Sequence, residues 1–326
     1  MSFPAIIADV GATNARFGFI HADGQISRSK AQIYLCDDHP SFESAYAAYV
    51  AYLGQLATNV QSLALAIAGP ITGDFVRMTN HPWAFSQKTL KADLGLNNLI
   101  VVNDFTAVAL SLSALTDADV VHIGGNSAGR VVENAPKAVL GAGSGLGVSG
   151  LIPNGSGGWV PLSGEGGHVT LAPANDREAE ILHVLRDWFG HVSVERVLCG
   201  AGLVNLYKAL AHLAHNETQG TIKPTDITKW ALNGADPLAV EALTLFCAML
   251  GTVAGNLSLI LGARGGLYVA GGIVPQILPF FKASPFRDRF KAKGRFEDYL
   301  AAIPTFVITH ELPAFLGLCA ALKAKK

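Results

Sequence analysis

The 326-residue chain is half hydrophobic, only 15% charged and close to neutral, with 24 Lys plus Arg against 25 Asp plus Glu. That length suits one large or two medium domains with a sizeable core, and the composition excludes a mainly disordered state. The charge balance leaves no electrostatic footprint for nucleic acid or an anionic membrane. The scattered Cys36, Cys199, Cys247 and Cys319 offer no disulfide framework or zinc-ligand spacing and fit a reducing cytosol.

The chain opens with AIIADV, a short apolar run that ends in Asp9 with no basic stretch before it. It reads as a strand rather than a secretory leader. GATN is then a turn and ARFGFI a second strand. SFESAYAAYVAYLGQL has helical periodicity with a serine cap at its start. LALAIAG and LIVVND read as buried strands, and FTAVALSLSAL as a helix. Near residue 115 the pattern restarts with KAVLGAGSGLGVSGLIP, again strand, glycine turn, strand. NDREAEILHVLRDWFG and GLVNLYKALAHLAH read as helices. The uncharged stretch from Ala242 to Ala263 is long enough for a bilayer and carries Gly251 and Gly255 in a GxxxG spacing. Thr244, Thr252, Asn256 and Ser258 dilute it and no aromatic belt flanks it, so a buried central helix is expected. GGLYVAGGIVPQILPFF is strand, glycine turn, helix; TFVITH is a last strand and LGLCAALKAKK a last helix.

This alternation predicts an α/β fold with substantial parallel sheet, and a ligand crevice beyond the carboxyl ends of its strands. ADVGATNARFGFI and LGAGSGLGVSGLIP form a weak internal repeat, as if two similar halves each gave one glycine hairpin to a shared cleft.

Five places can carry chemistry. Asp9-Val10-Gly11-Ala12-Thr13-Asn14 is a strand-end carboxylate followed by a turn. Its backbone N–H groups and polar side chains can cradle phosphate while Asp9 holds a hydrated Mg²⁺; the plain alternative is a polar hairpin. In Gly141-Ala142-Gly143-Ser144-Gly145-Leu146-Gly147 four glycines alternate, which lets backbone amides approach a polyphosphate. The string is neither GxGxxG nor GxxxxGK[ST], and a bulged ribbon is its alternative. Asn103-Asp104 ends an apolar strand. Asp104 can accept a proton from a substrate hydroxyl, or can simply cap the helix that follows. Glu165, His168 and Glu195 are a donor and acceptor set suited to a polyol. The glycines inside Glu165-Gly166-Gly167-His168 disfavour a helical metal motif. Finally, Ala270-Gly271-Gly272-Ile273 after a strand leaves room for a base or ribose against backbone, or is an ordinary strand–helix turn.

DVGATNARFGF, AIAGPITGDFVRMTNHPWAFS, VVNDFTAVALSL, GAGSGLGV, LSGEGGHVTLAP, SVERVLCGAGLVNLY, LYVAGGIVP and LPAFLG stand in one order along nearly the whole chain. Together they resemble the bacterial glucokinase family of the actin-like, sugar-kinase and chaperone ATPase superfamily. The resemblance implies two α/β domains of the actin-like ATPase (ribonuclease H-like) type with an interdomain cleft. Residues 1–114, completed by 309–326, would form the small domain and 115–308 the large one. It implies ATP-dependent phosphorylation of D-glucose to glucose 6-phosphate, with Mg²⁺, in a cytoplasmic homodimer. Carried over residue by residue, Asp9, Val10, Gly11, Ala12, Thr13 and Asn14 would be the first phosphate loop, with Asp9 toward the metal. Gly141, Gly143, Ser144 and Gly145 would be the second, and Gly271 and Gly272 would lie near adenosine. Asn103, Asp104, Glu165, His168 and Glu195 would bind sugar hydroxyls, with Asp104 as base. The family loop is usually DVGGTN, so Ala12 is a departure. The cysteine-rich zinc motif of the related repressor and open-reading-frame kinase family is missing. A kinase for another hexose, or a non-catalytic sugar sensor, are the rival readings.

Overall fold

The structure, a computed structural model, describes residues 3–124, 129–216 and 220–324. Residues 1–2 of the opening stretch and 325–326 of the expected last helix lie outside them.

In chain order the elements are β1 (Ala5–Val10), β2 (Asn14–Ile20), β3 (Ile26–Leu35), α1 (Phe42–Leu53), β4 (Ser62–Ile67), β5 (Phe75–Arg77), β6 (Ala84–Ser86), α2 (Gln87–Asp93), β7 (Asn98–Asn103) and α3 (Asp104–Ser111). Then come β8 (Val120–Ile123), β9 (Lys137–Ala142), β10 (Leu146–Pro153), β11 (Trp159–Leu162), α4 (Asp176–Phe189), α5 (Gly200–Leu213), α6 (Pro224–Leu232) and α7 (Pro237–Leu261). The chain closes with β12 (Leu267–Ala270), α8 (Ile273–Gln276), α9 (Leu278–Ala283), α10 (Phe286–Lys291), α11 (Glu297–Ala301), β13 (Thr305–Ile308) and α12 (Pro313–Ala324).

These elements fall into two compact units. Unit 1 comprises Met1–Thr116, Asn154–Ser163 and His310–Lys326, and unit 2 Asp117–Pro153 and Gly164–Thr309. The expected division kept 115–308 together, whereas here Asn154–Ser163 goes with unit 1. The reason is local: β11 packs on α3, and Ser163 Oγ lies 3.2 Å from Thr106 Oγ1.

The sheet of unit 1 has the order β3-β2-β1-β4-β7. β1 and β2 are an antiparallel hairpin, while β1–β4 and β4–β7 run parallel. The alternation of a strand buried on both faces is plain in β1. Ile6, Ala8 and Val10 join a core with Tyr46 and Tyr49 of α1, whereas Ala5 and Ile7 face Ala107 of α3 and Phe315 and Leu318 of α12. α1 begins where Ser41 Oγ accepts from the Ser44 N–H at 3.3 Å, the cap the sequence suggests.

The strands of unit 2 run β10-β9-β12-β13-β8. Here too an antiparallel hairpin, β9–β10, is followed by two parallel neighbours, β12 and β13. The internal repeat seen in the glycine turns is therefore a repeat of topology. The long apolar helix α7 is mostly buried in unit 2, with Phe246, Leu250 and Ala254 in the core. Its GxxxG pair serves packing inside the protein: a Cβ added at Gly251 would run into the Phe286 carbonyl of α10.

Candidate functional site

In unit 1 the sheet delivers two carboxylates to one place. Asp9 follows Ile7 on the face that packs toward α3 and α12, and β7 carries Ile100 and Val102 on that same face, so the next residue of that parity is Asp104. β4 separates the two strands. The Asp9 carboxyl is pushed up from 3.8 to about 6, first by burial and further by the charge of Asp104, against the opposing pull of Arg16. Arg16 is the cross-strand partner of Asp9 in the hairpin, and its Nη1 lies 3.6 Å from Asp9 Oδ2.

The turn between β1 and β2 is closed by the Gly11 N–H donating to the Asn14 carbonyl at 3.0 Å. From the end of β3, the Cys36 N–H donates to the Thr13 carbonyl at 2.9 Å and its thiol to the Gly11 carbonyl at 3.4 Å. Thr13 is exposed, and above Gly11 only the Asn14 carbonyl comes near, at 3.9 Å from an added Cβ. Ala12 holds a negative φ, so the residue that departs from the usual loop costs no backbone strain.

The helix α3 begins at Asp104. Its cap is Asn103, whose Oδ1 accepts from the Phe105 N–H at 2.9 Å and the Thr106 N–H at 3.2 Å. Asn103 Nδ2 donates to the Gly69 carbonyl at 3.2 Å. Asp104 is the first helical residue, half-buried, with Oδ1 also accepting from the Phe105 N–H at 2.8 Å. Asn103 is thus the N-cap, and Asp104, which shares the Phe105 N–H with it, stands at the carboxyl end of β7, where its charge reaches Asp9.

In unit 2 the second glycine turn joins β9 to β10. The Gly143 N–H donates to the Gly145 carbonyl at 2.8 Å, and the Gly143 carbonyl accepts from the Gly200 N–H at 2.9 Å at the start of α5. Space above Gly143 and Gly272 is open, and Ser144 is exposed. Gly271 is different. It has φ +84°, and a Cβ there would collide with the Ala142 backbone, so it seats the β12–α8 turn on the end of β9. Glu165 and His168 are exposed at either end of a short 3₁₀ turn, Gly166–His168. Glu195 is brought to that turn, its N–H donating to the Gly167 carbonyl at 2.8 Å. The structure thus gathers Glu165, His168 and Glu195 with Gly141, Gly143, Ser144, Gly145, Gly271 and Gly272 in unit 2. Asp9, Val10, Gly11, Ala12, Thr13, Asn14, Asn103 and Asp104 belong to unit 1.

Arg16 and Cys36 contact Asp9 and the turn that follows it, and the sequence did not single them out. The hairpin register would have found Arg16, since a tight turn after Val10 puts it opposite Asp9. No comparable signal marks Cys36.

Among the described residues no group of three or more His, Cys, Asp or Glu side chains could hold a metal ion. Asp9 is a single carboxylate in its loop, which suits at most one protein contact to a hydrated cation.

Comparison with known proteins identifies the family. The glucokinase family model matches residues 6–325. A glucokinase of Neisseria meningitidis serogroup C (strain ATCC 700532) is 50% identical over 98% of this chain and 95% of its own. One from Campylobacter jejuni subsp. doylei is 46% identical over 99% and 95%. Among solved structures, a glucokinase from an Antarctic psychrotroph superposes with a TM-score of 0.87 at 33% identity, covering 98% of this chain and 99% of that one. A ROK family glucokinase from Streptomyces griseus, solved with glucose and AMPPNP, shares the fold at a TM-score of 0.60 and 17% identity, over 98% of each chain. The fold and its paired glycine hairpins define a phosphoryl-transferring sugar kinase of the actin-like ATPase type. More narrowly, the chain belongs to the glucokinase family.

Proposed function

We propose that this sugar kinase acts as an ATP:D-hexose 6-phosphotransferase, making glucose 6-phosphate from D-glucose, and that Asp104 is its general base. The observation that carries the assignment of Asp104 is the division of labour at the start of α3. Asn103 is the N-cap and takes the Thr106 N–H by itself, while Asp104 shares only the Phe105 N–H and stands at a strand end where its charge reaches Asp9.

The 6-hydroxyl oxygen attacks the γ-phosphorus, its proton passes to the Asp104 carboxylate, and the bond from that phosphorus to the bridging oxygen breaks to release ADP. The two glycine turns offer backbone N–H groups to the phosphate oxygens, where charge spreads as transfer proceeds. Mg²⁺ would lie toward Asp9 and offset phosphate charge, taking the ionised form of a carboxyl that burial pushes up to about 6. Glu165, His168 and Glu195 would take sugar hydroxyls, and Asn103 keeps an amide hydrogen for the same purpose. By this reading Gly271 and Gly272 lie near adenosine. ATP as donor is supported by the family match and by the Streptomyces griseus glucokinase solved with AMPPNP; Mg²⁺, a homodimer, a cytoplasmic location and a supply of hexose phosphate to glycolysis enter the proposal through the family resemblance alone.

The test is ADP release by purified protein with Mg-ATP against glucose, fructose, mannose and N-acetylglucosamine. Turnover with glucose far above the others is expected. Preference for another sugar would move the substrate, and binding without ADP release would replace the kinase with a sensor.

A further inference from the structure

Within unit 2 one residue bonds both the end of the second glycine turn, through its side chain, and the turn that carries Glu165 and His168, through its backbone. Glu195 Oε2 accepts from the Leu146 N–H at 2.8 Å, and Leu146 is the first residue after Gly145. The Glu195 N–H in turn donates to the Gly167 carbonyl. Gly167 itself lies so tightly on the Leu146 carbonyl that an added Cβ would run into it. The lacing continues through the Val194 N–H to the Val169 carbonyl at 2.9 Å and a bridge between Thr170 and Ser193. Leu146 is thus held on its N–H by Glu195 and on its carbonyl by the turn that Glu195 also holds.

Gly145 shows how close the carboxylate comes: a Cβ there would be 2.6 Å from Glu195 Oε2. Five residues beyond Glu195, the Gly200 N–H binds the Gly143 carbonyl. The segment from Glu195 to Gly200 therefore grips the glycine turn at both of its ends, through the Glu195 carboxylate at one and the Gly200 N–H at the other.

We propose that Glu195 is a positioning residue for the nucleotide, in addition to any hydroxyl it accepts: it sets the second phosphate turn through Leu146 and thereby couples sugar binding to nucleotide binding. This rests on the phosphotransferase reading above. An ionised carboxylate has about four acceptor positions, so one bond to Leu146 leaves room for a sugar hydroxyl. A sugar that fixes the carboxylate also fixes the turn, and by linkage a nucleotide on the turn must tighten the sugar by the same factor.

The experiment is calorimetric titration of the full chain with Mg-AMPPNP, with and without glucose, for the native protein and for Glu195→Ala, Glu195→Gln and Gly145→Ala, alongside initial rates. Glu195→Ala is expected to weaken AMPPNP about ten-fold without any sugar present, the scale of one lost charge-assisted hydrogen bond, and to abolish the mutual enhancement. Glu195→Gln still offers an acceptor to Leu146 and should recover most of the nucleotide affinity. Gly145→Ala should reproduce the nucleotide defect with Glu195 intact, which keeps the test usable should Glu195→Ala fold poorly. The proposal is overturned if Glu195→Ala and Gly145→Ala both keep AMPPNP affinity within about two-fold and only the glucose KM moves. A native protein that phosphorylates no hexose would instead overturn the phosphotransferase reading, while the sugar-free nucleotide titrations would still decide the role of Glu195.

Discussion

The turn after β1 and the turn after β9 occupy equivalent places in two sheets of like topology, yet they are built differently. The first carries Asp9 at its root and Thr13 and Asn14 on its rim, and is held from behind by the backbone and thiol of Cys36. The second has only Ser144 as a polar side chain between Gly143 and Gly145, and is held by a remote carboxylate, a helix start and Gly271. One turn offers charge and side-chain donors, the other offers bare backbone.

The sharpest way to break this contrast is at Gly271. Gly271→Ala forces a side chain into a left-handed backbone and against Ala142, so a stability loss of at least ~1–3 kcal/mol is expected, with ATP KM raised along with it. Thermal denaturation and ATP titration would show it. Next is the charge of the first turn. Because burial raises Asp9 to about 6, its ionised fraction falls as pH drops through that value, and kcat/KM for ATP should fall with it. Arg16→Met removes the charge that opposes this shift, so the acid limb should move to higher pH while the alkaline side stays put. The linked stability effect has a definite sign. Between 3.8 and about 6 the folded protein holds the proton more tightly than the unfolded chain, so this group costs stability progressively as pH rises across that window. Denaturation curves at several pH values would check it. Cys36→Ala deletes only a thiol donor and leaves the backbone bond to Thr13, so ATP KM should rise about two-fold. Smallest is Ala12→Gly. Since Ala12 sits at a negative φ, restoring the usual glycine should change ATP KM by less than about two-fold, and a larger change would mean the methyl touches nucleotide.

Much of this was legible in the chain itself. β1, β4 and β7 are apolar runs bounded by turn residues, and the glycine strings mark both hairpins. Other parts carried no local signal. β3 is an exposed edge whose SRSKAQ stretch lacks alternation. The passage of Asn154–Ser163 to unit 1 is written only in contacts such as that of Ser163 with Thr106. Asn103 and Asp104 are both favoured caps, so sequence alone could not say which one the helix uses. The bond of Glu195 to Leu146 joins residues 49 positions apart, beyond any periodicity.

On the proposed reading Asp104, at the carboxyl end of β7 with Asn103 as the N-cap of α3, takes the proton. Single-turnover phosphoryl transfer from Mg-ATP to glucose by Asp104→Ala, beside the native protein and with binding of both ligands measured separately, tests it most directly. The account predicts a transfer rate lowered ~10²–10⁴-fold with ligand binding largely kept. A near-native transfer rate in that variant would contradict it.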